Sequence, residues 1–140
     1  MYDLEKIRNY FAGDKFASGM GAKIESASPE SVVCTLGLTP EHRNAAGGIQ
    51  GGAIFTLADL TFAVHCNLEL ANGADVGVTV GQSCSISFLK ATRGKRLTAR
   101  SAKLSSGRHV SVYRIEIGDD EGVAVADMLC NAFTVSSAKK

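Results

Sequence analysis

The spacing of hydrophobic positions changes character along the chain. At the start, Leu4, Ile7 and Phe11 share one helical face while Glu5, Lys6 and Arg8 turn away, which predicts a short amphipathic helix over residues 3–11. Alternation then takes over. Residues 22–27 and 32–39 read as strands separated by the turn-forming trio Ser28-Pro29-Glu30. In the second of them Val32, Cys34, Leu36 and Leu38 alternate with smaller or more polar neighbours, as a half-buried strand requires. Residues 40–52, PEHRNAAGGIQGG, form a loop dense in turn formers. Residues 53–68, AIFTLADLTFAVHCNL, are apolar almost all the way round, the pattern of a helix buried on nearly every side. From residue 76 the chain turns to strand. Val76, Val78, Val80, Cys84, Ile86 and Phe88 share one parity, and Thr79, Ser83, Ser85 and Ser87 the other. Three more strands, over 96–104, 109–117 and 123–135, are punctuated by Arg93-Gly94-Lys95, Ser105-Ser106-Gly107 and the Gly118–Gly122 turn. The last is apolar on both parities over 123–126, so both of its faces are expected to be covered there.

Connections this short favour antiparallel neighbours. The pattern therefore predicts an α+β fold, a single domain over 1–140 in which long antiparallel strands wrap one buried helix. One small sheet covers only one side of that helix, so a second subunit is the natural cover for the rest.

Composition narrows the function classes. With 15 Lys+Arg against 14 Asp+Glu, the formal charge of +1 gives no reason to expect nucleic acid or an anionic membrane as partner. The apolar helix is short for a bilayer and carries Asp59 in its middle, which excludes a transmembrane reading. The first residues, MYDLEKIRNYF, lack the features of a secretory signal, and the expected location is the cytoplasm. The cysteines, Cys34, Cys66, Cys84 and Cys130, are widely spaced in apolar stretches, so buried reduced thiols are expected and no metal site. His42, His65 and His109 show no ligand spacing either, and His65 reads as a hydrogen-bonded core or interface histidine. Phosphate-loop, zinc-protease and dinucleotide signatures are absent.

The loop-to-helix junction carries the candidate chemistry. Asn44-Ala45-Ala46-Gly47-Gly48-Ile49-Gln50-Gly51-Gly52 runs straight into the apolar helix, whose first turn has free backbone N–H groups and a partial positive charge. Glycines there let an anion or a polarised carbonyl approach, although they also serve a tight turn. Asp59 lies seven residues beyond Gly52, close to two helical turns, among Leu57, Ala58, Leu60 and Phe62. A carboxylate in that setting is either satisfied structurally by Thr or Asn side chains or is a desolvated acid or base. Beside an electrophile-polarising helix end, the second reading describes a hydrolytic site for an acyl compound.

At these residues the chain resembles the PaaI-type thioesterases of the hotdog superfamily. The likeness rests on Asn44, on Gly47-Gly48-Ile49-Gln50-Gly51-Gly52 and on Leu57-Ala58-Asp59. It extends to Ser85-Ile86-Ser87-Phe88-Leu89-Lys90, Gly107-Arg108 and Gly122-Val123-Ala124-Val125-Ala126. The resemblance implies a hotdog fold, dimers or dimers of dimers, and an acyl-CoA thioesterase whose sites lie between protomers, with no cofactor beyond the coenzyme A of the substrate. It makes the Gly51 N–H the oxyanion donor, with Gly52 sharing that role. It makes Asp59 of the other protomer nucleophile or general base, and has Asn44 orient thioester or water. Gln50 stands where many relatives carry His; it can hydrogen-bond a carbonyl but cannot act as acid or base near neutral pH. Arg93, Lys95, Arg108 and His109 lie in turns that could converge on the coenzyme A phosphates or simply be solvated. Thr79 and Ser83 are candidates for the acyl cleft or for plain sheet packing. The alternatives are a non-catalytic acyl-CoA-binding module and a 3-hydroxyacyl thioester dehydratase. Gln50 in place of a catalytic His argues against the second.

Overall fold

The computed structural model describes residues 2–136. Helix α1 (Leu4–Phe11) occupies the predicted segment, with the Asp3 carboxylate accepting from the Glu5 and Lys6 N–H groups at its N-terminus. A second helix, α2 (Lys15–Met20), follows; the sequence pattern did not reveal it, because six residues with a glycine among them are too short to display a period. Asp14 caps its start and Gly21, in the left-handed region at φ +100°, ends it.

Strands β1 (Lys23–Ala27) and β2 (Val32–Gly37) form the predicted hairpin. The long helix α3 (Gly51–Cys66) starts two residues before its predicted position. A short helix α4 (Leu68–Ala71) then leads to β3 (Thr79–Phe88), β4 (Arg96–Ser106), β5 (Val110–Asp119) and β6 (Ala124–Thr134). All six strands make one antiparallel sheet in the order β1-β2-β4-β5-β6-β3. α3 lies across it, as expected. Leu57, Ala58, Thr61, Phe62 and Val64 are buried against Leu36, Leu97, Ile115, Ile117 and Met128. On β6, between two neighbours, Val125 and Ala126 are buried in succession, so both faces are covered there.

Two expectations need correction. First, the parity of β3 does not run through. Gly81 pairs with Ala132 and Ser83 with Asn131, so Gln82 is an extra residue, and the bulge exchanges the faces on either side of it. Val78 and Val80 are therefore exposed and Thr79 buried, whereas Cys84 and Ile86 beyond the bulge face the core. Second, two of the cysteines are not thiols. Cys84 and Cys130 are directly opposed on β3 and β6, 4.3 Å apart at Cα, and form a disulfide, while Cys34 and Cys66 are free. Within one chain Gly52 and Asp59 on the outer side of α3 are exposed, as the sheet covers only the other side of the helix.

Candidate active site

The loop before α3 is held by its own short-range bonds. Arg43 and Ile49 form an isolated antiparallel bridge, and the Arg43 guanidinium donates to the Gly47 carbonyl at 2.9 Å. Asn44 Oδ1 accepts from the N–H groups of Ala46 (3.0 Å) and Gly48 (3.1 Å). Gly47 makes this turn possible with φ +89°. The Asn44 amide Nδ2 has no protein acceptor among the described residues, so it is available to a ligand.

The Gln50 N–H then donates to the His42 carbonyl at 2.8 Å, which aims the chain into α3. Ala53 and Ile54 both donate to the Gln50 carbonyl, leaving the N–H groups of Gly51 and Gly52 without intrahelical acceptors. A Cβ on Gly51 would sit 3.2 Å from the Phe88 ring, so glycine is what lets the end of β3 close on the helix start. Asn44, Gly51, Ile54, Phe88 and Lys90 line one cavity of about 450 Å³ here. Phe88 and Lys90 were not singled out as site residues in the sequence, where they read only as a strand end; their place beside Gly51 comes from the sheet.

Asp59 lies on the outer stripe of α3, exposed, between the buried Ala58 and Leu60. It is thus not the core carboxylate its apolar neighbours suggested. Partial loss of hydration among those neighbours raises its pKa above the ordinary carboxylate value, and the negative charge of Asp14 at the start of α2 adds to the effect. Eight residues separate Asp59 from Gly51, about 12 Å along the helix axis at 1.5 Å per residue. One reacting carbonyl cannot touch both groups of the same chain, since each contact requires about 3 Å.

The other candidates are scattered. Thr79 is buried; its hydroxyl bonds the Thr134 hydroxyl at 2.9 Å and its backbone pairs with the Asn67 side chain, past the far end of α3 from Gly51. Ser83, on the opposite face from Thr79, accepts from Asn131 Nδ2 at 2.9 Å. Arg93 and Lys95 precede β4 whereas Arg108 and His109 follow it, so about 35 Å of strand separates the two pairs and they do not converge within one chain. Arg93 lies by Lys90, near the Gly51 cavity. His65 is held at both nitrogens, by Ser101 Oγ at 2.7 Å and the Pro29 carbonyl at 2.8 Å, as a structural histidine should be. No group of three or more His, Cys, Asp or Glu side chains among the described residues is placed to hold a metal ion. No helix among them is long and apolar enough to cross a membrane.

Comparison with known proteins identifies the family. The thioesterase superfamily profile matches residues 46–126, which include Gln50, Gly51, Gly52 and Asp59. The chain is 32% identical to the acyl-coenzyme A thioesterase PaaI of Escherichia coli over 83% of its length and 79% of that protein's. It is 35% identical to a putative esterase of Deinococcus radiodurans over 79% of its length and 73% of that protein's. The solved structure of E. coli PaaI superposes with a TM-score of 0.83 at 26% identity, covering 96% of each chain. A Haemophilus influenzae thioesterase shares the fold at a TM-score of 0.87 and 19% identity, over 99% of this chain and 94% of that one. The profile match, the likeness to E. coli PaaI and the six-stranded antiparallel sheet wrapped on one central helix together place the chain in the thioesterase superfamily, as a hydrolase with the hotdog fold.

Proposed function

We propose that the protein hydrolyses acyl-CoA thioesters to the free acid and coenzyme A, in sites each shared by two protomers. The observation that carries the reading is the separation of about 12 Å between the free Gly51 N–H and Asp59 on one helix. A catalytic pair so spaced can meet one carbonyl only if each chain supplies one of its members. The exposed stripe of α3 and the ten-residue edge strand β3 support such pairing.

In this reading the thioester carbonyl oxygen accepts from Gly51 N–H, with Gly52 beside it, and the Asn44 amide orients the thioester or the water. Asp59 of the facing protomer removes a proton from water as the water oxygen bonds to the carbonyl carbon. The tetrahedral intermediate collapses by breaking the C–S bond, and the thiolate leaves and takes up the proton. Alternatively the Asp59 carboxylate attacks first and water hydrolyses the resulting anhydride. Gln50 positions a carbonyl or the loop without proton transfer. Arg93 beside one helix start, or Arg108 from another protomer, meets the phosphates.

Steady-state assays on an acyl-CoA series test the reading. Asp59→Asn is expected to lose about 100- to 10,000-fold in kcat with its oligomeric state intact. Full activity in that variant overturns the role of Asp59. Tight acyl-CoA binding without turnover by the unmodified protein overturns the enzyme in favour of a binding module. Single-turnover hydrolysis in ¹⁸O-water separates the two routes: the general-base route puts the label in the acid product, whereas the anhydride route, with water attacking the Asp59 carboxyl carbon, puts it on Asp59.

A further inference from the structure

Between α2 and the first turns of α3 runs a groove of about 820 Å³ that the thioester chemistry above does not use. We propose that it holds the acyl chain of the substrate and selects apolar acyl groups of about six carbons or more over acetyl. This rests on the thioesterase reading and deepens it.

The groove joins the candidate site at its inner end. Gln50 and Gly52, the residues on either side of the Gly51 donor, line it, followed by Thr56 one turn on. Its lining is mainly apolar, with Phe16, 76% exposed on α2, Met20 and Phe55, while Lys15 and Glu41 also line it. The Thr56 hydroxyl is already spent on the Gly52 carbonyl at 2.8 Å, so it asks nothing of a ligand. On the other flank of the same helix start, the cavity at Asn44 and Phe88 leads to Lys90 and Arg93. A thioester centred on Gly51 thus has a mainly apolar channel on one side, and Lys90 and Arg93 on the other, which matches an acyl tail opposite a phosphorylated leaving group.

The groove is also firmly built. Asp14 caps α2 by accepting from Ala17 N–H at 3.0 Å, and Ala17 is buried beneath it. The buried His42 accepts from Thr39 N–H at Nδ1, so its Nε2–H donates to the Met20 carbonyl at 2.8 Å and pins the end of α2 to the loop entering α3. Gly19 keeps the channel open: a Cβ there meets nothing within 4 Å, so a larger side chain fits the helix and fills the groove instead.

The test is the chain-length profile of kcat/KM from acetyl- to dodecanoyl-CoA for wild type, Gly19→Leu and Phe16→Ala. The wild type is expected to gain up to about fourfold per methylene, from burial of the chain, out to about eight carbons. Gly19→Leu is expected to lose tenfold or more on octanoyl-CoA while staying within twofold on butyryl-CoA, with an unchanged unfolding temperature and elution volume. Phe16→Ala is expected to weaken octanoyl-CoA selectively, and it decides the matter if Gly19→Leu is unstable. Equal losses at every length, no loss, or a changed oligomeric state overturns the groove assignment; the last would make it a subunit contact. Hydrolysis with a flat wild-type profile fails the groove alone. Absence of hydrolysis at every length fails the thioesterase reading, and the groove assignment falls with it.

Discussion

In the proposed reaction the protonation state of Asp59 decides whether it can act. It must be ionised to serve as base or nucleophile, and its pKa is raised by partial desolvation and by Asp14. Activity is therefore expected to fall on acidification at a higher pH than an ordinary carboxylate would impose, read as the acid limb of kcat/KM. Asp14→Asn keeps a good helix cap and removes the charge, so it is expected to move that limb to lower pH without unfolding α2. An unmoved limb would separate Asp14 from Asp59. His65 carries the opposite sign. Burial lowers its pKa below 6.5, with the Pro29 carbonyl opposing and Lys103 adding to the fall. The folded protein thus binds fewer protons there than the unfolded chain does. His65 contributes fully above the unfolded pKa, and stability is expected to decline as pH falls through that value toward the folded one. Thermal unfolding between pH 8 and 5 measures this, and replacing His65 by Gln should flatten the dependence.

At the scale of elements, turns far apart in sequence are tied by two adjacent carboxylates. Asp119 Oδ2 accepts from Thr92 Oγ1, Arg93 N and Gly94 N, and its Oδ1 from Glu121 N and Val123 N. Asp120 Oδ1 accepts from Lys95 N and Arg96 N. Burial disfavours the Asp119 charge, but these donors outweigh it and hold its pKa far below the usual carboxylate range. A depressed carboxylate stabilises the fold above its unfolded pKa, near 3.8, and that contribution fades as pH falls below it. Asp119→Asn is expected to lower the unfolding temperature at pH 7 and to narrow its gap to wild type near pH 3. The same turn sets the position of Arg93, so kcat/KM on acyl-CoA should fall with it if Arg93 meets the phosphates. The Cys84–Cys130 bridge ties the edge strand β3 to β6 across a sequence separation of 46. In the chain-entropy account a loop of that length stabilises by about 4 kcal/mol. Reduction, or the pair Cys84→Ser with Cys130→Ser, is expected to lower the unfolding midpoint accordingly, measured by denaturant titration.

For the whole molecule, a site split between protomers predicts complementation. Asp59→Asn and a variant disabled at the glycine loop, such as Gly51→Pro, are each expected to be inactive as homo-oligomers. A mixed dimer contains one site with both lesions and one with neither, so co-refolded protein should regain up to half the wild-type activity per mixed dimer. No recovery despite mixed assembly, checked by native mass spectrometry, would overturn the pairing of Gly51 and Asp59 in one shared site.

Local periodicity was enough to determine the amphipathic α1, the apolar α3, the six strands and the glycine-rich entry to α3, because each depends on residues a few positions apart. Gly51 and Asp59 stand out as candidates for the same reason: a glycine run at a helix start and a charge among apolar neighbours are short-range anomalies. Tertiary structure alone decided what depends on register and on contacts across the sheet. The bulge at Gln82 turned Val80 outward and Thr79 inward, a one-residue offset that no alternation pattern displays. Pairing of β3 with β6 set Cys84 against Cys130, which sequence spacing had left as separate thiols. Strand β4 carried Arg93 and Arg108 to opposite ends of the sheet, and the outer stripe of α3 left Asp59 exposed beside α2. Helices and strands follow from the energetics of neighbouring residues, whereas a site follows from which distant residues the folded sheet brings together.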